Sequence, residues 1–371
     1  MDQVADFAAD HQFDDAIAQA IDWRKRTGGQ IVGYMGSDVP IEIILALGML
    51  PSRVHVSRFA MEKVARCREM GDSDMVAVMA NTLLDGSHDF IDQLVFGNSP
   101  AVNVALFHFL RERRRGRIEP DVPRLIFHEM HHGGGLPVEA FNLESCRRLA
   151  MALAPDRAPI GKAALVEALA CVERGRAAIG ALGAMRRSDP PAISGEMAMT
   201  LIGQWWRNPL LGVECPEPAP NSRRRIFYCG EAMAHLPYYR AIEAAGCTIV
   251  AEDHDWGEHV ATRPVSAGGD VLKSIADSYG AFPARSARSP MRDYIAAAFE
   301  RVTSAGAEGV ILCGNAEDQA FAWNVPGLRS VLASVNVPIL DLGPQPVVDP
   351  DFEDVTATVR DWLDAIRGER P

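Results

Sequence analysis

The chain has 371 residues, 48% of them hydrophobic and 23% charged, with a formal net charge of -12. That length exceeds one ordinary core and predicts two domains in a globular protein. The acidic balance argues against nucleic-acid binding by the chain as a whole.

Taken in chain order, short apolar runs of strand length recur, each followed by a small-residue loop and a helical period. Gln30 to Met35 is the first, and with it "GYMGSDVPIEIILALGMLPSRV" (Gly33 to Val54) reads as a strand end, a loop and an amphipathic helix opened by Pro40. LVF (Leu94 to Phe96) leads into GNSP and a helix from Ala101 to Arg114, and RLIFH (Arg124 to His128) into EMHHGGG and a helix from near Pro137. Ile160 to Trp206 reads as almost wholly helical, and "GVECPEPAPNSRRR" (Gly212 to Arg225) is the best linker. Beyond it RIFYC, TIVAE, VILC and VPILDL repeat the strand pattern, followed by GEAMAHL, DHDWGEH, GNAEDQAF and GPQP. The expected fold is therefore α/β: two doubly wound parallel-sheet domains of Rossmann or flavodoxin type facing a cleft. They span residues 1–215, with a helical segment at about 155–210, and 216–371. In such sheets ligands bind beyond the C-terminal strand ends, where most of the chemically interesting residues fall.

The N-terminal MDQVADFAADHQFDD lacks the apolar core of a signal peptide, and no stretch approaches the roughly 20 apolar residues of a membrane span. A cytoplasmic protein without membrane partners is expected. Seven scattered cysteines without a CxxC point to reduced thiols that serve as packing residues.

The Gly36-Ser37-Asp38 loop has two readings. Ser37 or Asp38 caps the next helix, worth about 1 kcal/mol, or the free helix N–H groups and the serine hydroxyl polarise a carbonyl or hold an anion. "HEMHHGGG" is not HExxH, but it places His128, Glu129, His131 and His132 at one strand end, while "EDHDWGEH" places Asp253, His254, Asp255 and His259 at another. No metal is expected; were one bound, His131, His132, His254 and His259 are the candidate ligands. The basic runs Arg111 to Arg117 and Arg223 to Arg225 read as solvated surface by default, or as holders of the phosphates of a ligand such as coenzyme A. There is no GxGxxG after a strand, no GxxxxGK[ST] and no GxSxG.

The series of motifs resembles the 2-hydroxyacyl-CoA dehydratase and benzoyl-CoA reductase subunit family. Gly33, Tyr34, Ser37, Val39, Pro40, Glu42, Gly48, Pro51 and Arg53 match its opening segment. "HDFIDQLVFGNSP", "MRRSDPPAISGEMAM", "CGEAMAHLPYYRAIEAAGCTIVAEDHDWG" and "AEGVILCGNAEDQAFAWNVPGLRSVL" follow in the family's order. The resemblance implies paired doubly wound domains, a heterodimer of two related subunits, and an ATP-dependent activator that supplies one electron. It also implies a [4Fe-4S] cluster on three cysteines, from which the electron reaches the acyl-CoA thioester carbonyl.

The chain departs from the family at those cysteines. One ligand position falls at Ser99-Pro100, a second at about Asp318, and for the third only Cys67 is available; Gly36 also replaces a frequent cysteine. Clusters need cysteine thiolates in nearly every case. Cys229 and Cys313, which could rescue one, read as buried last residues of strands.

The expectation is a cluster-free subunit of a dehydratase-like acyl-CoA enzyme, with no cofactor of its own, partnered by a related subunit that carries [4Fe-4S]. Coenzyme A enters as part of the substrate. Catalytic candidates are Ser37, Glu42 and His128, and substrate-binding candidates are Gly36, Asp38, Arg53, Asn98, Ser99, Asp255, Asn315 and Asp318. The alternatives are redox-free acyl-CoA chemistry on Ser37 and the His/Asp loops, a metal-dependent lyase or hydrolase on the same loops, and a non-catalytic scaffold.

Overall fold

The computed structural model describes residues 14–54, 73–118, 122–230, 235–266, 268–281, 290–348 and 350–367. The N-terminal stretch and Cys67 lie outside them.

The first domain opens with α1 (Asp14–Thr27) and β1 (Ile31–Met35), then α2 (Ile41–Ala46), β2 (Leu50–Arg53), α3 (Asp74–Leu84), β3 (Gln93–Gly97), α4 (Val102–Arg115), β4 (Arg124–His128) and α5 (Leu136–Leu153). A helical segment follows, α6 (Lys162–Arg187) and α7 (Gly195–Arg207). The second domain comprises β5 (Arg224–Gly230), α8 (His235–Ala244), β6 (Cys247–Asp253), α9 (Glu258–Ala261), α10 (Val271–Ala281), α11 (Met291–Ser304), β7 (Gly309–Asn315), α12 (Gln319–Ala333), β8 (Ile339–Gln345) and α13 (Phe352–Arg367).

Each sheet has four parallel strands, in the orders β2-β1-β3-β4 and β6-β5-β7-β8. The two halves thus share one topology. The order reverses between β1 and β3 in one sheet and between β5 and β7 in the other, which makes those two gaps the switch points where doubly wound sheets take ligands. Central strands are buried along their length, as helices cover both faces of a parallel sheet.

Two readings of the sequence need correction. The helix after Pro40 is only six residues long, and LPSR within the same segment is a strand, not its continuation. Gly48, at φ +72°, reverses the chain, and Leu50 then donates to the Gln30 carbonyl at 2.9 Å and joins the sheet. The helical segment is two helices, interrupted at 188–194 by Pro190 and Pro191. The second restarts at Ser194, whose side chain accepts the Met197 N–H at 3.1 Å.

One apolar core joins the halves. It runs from Val32 and Val95 of the first sheet through Leu169, Ile179 and Trp205 of the helical segment to Ile226, Ile311 and Val359. Helices α6 and α7 therefore form a shared wall, and the irregular stretch 212–223 crosses between the sheets. Among the described residues, no helix is long and apolar enough to cross a membrane.

Candidate functional site

The C-terminal ends of the two sheets face each other and touch. Arg263, beyond β6, donates to the Ser37 carbonyl at 2.7 Å. Arg53, ending β2, reaches Asp255 just past β6, and Ser73 before α3 donates to Glu317 after β7 at 2.6 Å.

At the first switch point the β1 loop folds down onto β3. Asp38 is buried, and its Oδ2 accepts the Asn98 N–H at 3.0 Å. Two glycines make room for it. A Cβ on Gly97 would lie 1.9 Å from Asp38 Oδ1, and Gly36 turns the chain at φ +103°. Burial pushes the Asp38 carboxyl up to about 7, although backbone N–H groups of Asp38, Asn98 and Ser99 pull the other way. Asp38 is therefore a β1–β3 staple, and neither it nor Ser37 is the helix cap that one reading of the sequence allowed; the N-cap is Pro40, with no side-chain cap bond. One of the N–H groups at the helix start is also engaged, since the Ile41 N–H meets the Tyr279 hydroxyl at 3.4 Å.

Asn98 ties β3 to the loop after β4, donating to the Met130 carbonyl at 3.0 Å and accepting the Met130 N–H at 3.1 Å. Ser99 is buried beside it, its carbonyl accepting from Asn103 at 3.2 Å. His128 closes the crevice on the β4 side, with Nδ1 3.4 Å from the Ser145 hydroxyl. Burial, then the nearby Arg148 charge, pushes the imidazole down to about 3 and keeps it neutral. Ser37, Asp38, Asn98, Ser99 and His128 thus lie buried together at the strand ends of the switch-point crevice.

Glu42 is elsewhere in function. One oxygen pairs with Arg176 at 2.7 Å and the other accepts the Tyr279 hydroxyl at 2.9 Å, with no solvent exposure. A carboxylate held on both oxygens is an anchor, which corrects its acid–base assignment. Arg263 stacks on the Tyr279 ring at 4.1 Å while holding Ser37, so the anchor reaches the crevice loop. No motif marks Arg176, Tyr279 or Arg263. The one usable signal is that Arg176 interrupts an apolar helical stripe, Leu165, Leu169, Val172, Ile179, where a charge needs a partner.

The DHDWGEH loop is a set of ion pairs. Glu252 accepts from Arg186, and although burial alone would raise its carboxyl, that guanidinium holds it well below the usual range. Glu258 pairs with Arg186 at 3.0 Å and Arg187 at 2.6 Å, and Asp253 with Arg301 at 2.6 Å and His259 at 3.5 Å. His254 meets the Tyr239 hydroxyl at 3.2 Å. In the first domain His131 lies beside Glu129 at 3.5 Å and packs on Phe141, with His132 next to it. These histidines belong to different sheets, and among the described residues no three His, Cys, Asp or Glu side chains converge as a metal site.

At the second switch point Asn315 accepts the Glu317 N–H at 2.8 Å, and Asp318 caps α12 by accepting the Phe321 N–H at 3.0 Å. Arg53 and Asp255 are spent on each other. An iron–sulfur cluster does not fit the donors described. The positions that the resemblance assigns to two cysteines, Ser99-Pro100 and about Asp318, hold no thiol, and Cys67 lies outside the described residues. Cys229 and Cys313 cannot act as a pair. Register sets Cys229 beside Leu312 in the core under α11 and α12, whereas Cys313 packs with Tyr228 and Ile311 on the opposite sheet face.

Two parallel sheets of one topology, opposed at their ligand-binding ends, define a pair of doubly wound α/β domains around a common crevice. The family model described as 2-hydroxyglutaryl-CoA dehydratase, D-component, matches residues 37–345, and the chain belongs to that 2-hydroxyacyl-CoA dehydratase family. Membership makes it a dehydratase-like subunit. No curated protein matches the chain.

Proposed function

We propose that this chain is the cluster-free subunit of a 2-hydroxyacyl-CoA dehydratase-like or benzoyl-CoA reductase-like enzyme, partnered by a related subunit that carries the [4Fe-4S] cluster and is charged by an ATP-dependent activator. The donor set carries this reading: serine and aspartate stand at two ligand positions, and the two strand-end cysteines lie on opposite faces of their sheet. In this role the chain supplies one wall of the acyl-CoA site. The Ser37 hydroxyl, the neutral His128 imidazole and the Asn98–Ser99 turn orient the acyl end, and Asp38 holds or releases one proton beside it.

Iron and acid-labile sulfide in anaerobically purified protein test this, with the chain alone and with its cluster-bearing partner. Iron and sulfide only with the partner is the expected result. A stoichiometric cluster on the isolated chain overturns the proposal.

A second reading, redox-free acyl-CoA chemistry, draws on the carboxyl of Asp38, poised to titrate near 7 beside a neutral imidazole. Turnover of an acyl-CoA by the isolated chain, without reductant or activator, would select it.

A further inference from the structure

The two basic runs look alike in sequence, but the structure separates them. Arg225 is spent on the backbone, donating to the carbonyls of Ser188, Arg187, Ala305 and Gly306, and Arg223 donates to that of Glu243. Arg111, Arg114 and Arg115 instead line an open concavity of about 330 Å³ with Phe107 and Leu125. The spacing 107, 111, 114, 115 puts these four side chains on one face of α4, and Leu125 comes from the adjacent edge strand β4.

The composition of this concavity is unusual for a solvated helix end. Five arginines face one glutamate over Arg111 to Arg117, in a protein of net charge -12. Cations at a helix C-terminus gain about 0.3–1 kcal/mol each from the dipole, which explains their presence but not their convergence. Glu112 is shared between Arg111 at 3.1 Å and Arg115 at 3.5 Å. One carboxylate does not neutralise three guanidiniums on one depression, and a further anion among them relieves the remaining repulsion. The floor is apolar: Phe107 lies under the Arg111 guanidinium at 5.7 Å and 5.1 Å from the ring of Phe127, which is 36% exposed. Guanidinium forks bind phosphate oxygens bidentately, and an aromatic floor takes a planar base.

The concavity is not part of the crevice. Arg111 and Arg115 lie about 14–20 Å along α4 from Val102, at a rise of 1.5 Å per residue. Leu125 is near the opposite end of β4 from His128. The volume lies at the low end of the roughly 300–1,000 Å³ that ligand sites span.

We propose that the concavity of Phe107, Arg111, Arg114, Arg115 and Leu125 binds a nucleoside diphosphate group, carried by a free nucleotide or by the nucleotide end of coenzyme A. The phosphates lie among the three guanidiniums and the base on Phe107 and Leu125. This does not depend on the subunit role proposed above.

The test is calorimetric titration of the full chain with ADP, coenzyme A, pyrophosphate and adenosine. It is repeated with the double variant Arg114→Ala/Arg115→Ala and with Arg292→Ala as a distant control, 90% exposed on α11. All three substituted side chains are exposed, so the fold is kept. ADP is expected to bind more tightly than pyrophosphate or adenosine, to lose about tenfold or more in the double variant, and to be indifferent to the control. Raising the salt concentration weakens it. Coenzyme A with the same loss makes its nucleotide end an occupant; coenzyme A binding that ignores the double variant leaves the free nucleotide as the occupant. No binding of ADP, equal binding by the double variant, or pyrophosphate binding as tightly as ADP overturns the proposal.

Discussion

Arg53 of the first domain and Asp255 of the second form a two-point contact, buried on the arginine side, through the Asp255 carbonyl at 2.7 Å and its carboxylate at 2.5 Å. The guanidinium also lies 5.0 Å from the ring of Trp206 and 4.3 Å from that of Trp256, one from the helical segment and one from the second domain. One side chain thus ties three parts of the molecule together. Arg53→Ala should cost about 2–4 kcal/mol of stability, and Arg53→Lys should not restore it, because an ammonium offers neither the fork nor the stacking plane. Urea unfolding monitored by tryptophan fluorescence measures both.

Glu42 is expected to matter for stability and not for chemistry. Glu42→Gln removes the charge facing buried Arg176 and should cost about 3 kcal/mol or more, as removal of one partner from a buried pair does. In the reconstituted enzyme the turnover of the folded fraction should equal wild type. A large loss of turnover at unchanged stability would return Glu42 to the acid–base list.

Asp38 makes stability depend on pH with a definite sign. Its folded carboxyl titrates near 7 because it is buried, against an unfolded value near 4. Between those values the folded state holds a proton that the unfolded state has lost, so this group's contribution falls as pH rises and levels off above 7. Asp38→Asn removes that slope. Its stability relative to wild type should rise from about pH 4 to 7, by a few kcal/mol at most. Denaturant titrations of both proteins across that range check it, and parallel curves would show that the carboxyl is ionised throughout.

His128 behaves in the opposite sense. Its folded value is pushed down to about 3, so between there and about 6.5 the unfolded state binds the proton that the folded state refuses. Its contribution is complete above about 6.5 and is lost as pH falls. The imidazole resonances of His128 should stay those of a neutral ring from about pH 5 to 8. Titration inside that window, followed by NMR of labelled histidine, would show water in the crevice.

Ser37 is the crevice hydroxyl with the clearest functional stake. Its carbonyl is fixed by Arg263, so the loop that carries the hydroxyl is held in place. Ser37→Ala should lower acyl-CoA turnover in the reconstituted enzyme about a hundred- to thousandfold, the scale of a lost transition-state donor. Unfolding curves should hardly move. Unchanged kinetics would remove the loop from the site.

Much of the architecture is legible in the sequence because it is local. Buried parallel strands write themselves as continuous apolar runs, and proline and glycine mark the breaks, so RLIFH, RIFYC and VILC stand out unaided. The short helix at Ile41–Ala46 and the strand LPSR escape the same reading, since an apolar segment of that length suits either period until Leu50 finds β1. The Ser37 loop, the Asn98–Ser99 turn and His128 could be singled out because strand ends are where doubly wound sheets do chemistry.

Which charged residues are tied to one another is decided only by partners distant in sequence. Arg176 lies 134 residues from Glu42, Tyr279 237 from it, and Asp255 202 from Arg53. No local pattern encodes which charge will be buried against which. Strand register, which put Cys229 and Cys313 on opposite faces, and helix packing, which left one arginine run around a concavity and tied the other to the backbone, are likewise properties of the assembled chain. The sequence by itself determined every strand but LPSR, the loops at their ends and the family. Burial decided which of those loop residues remain available for chemistry, because an ionisable side chain taken out of water must first satisfy its own charge.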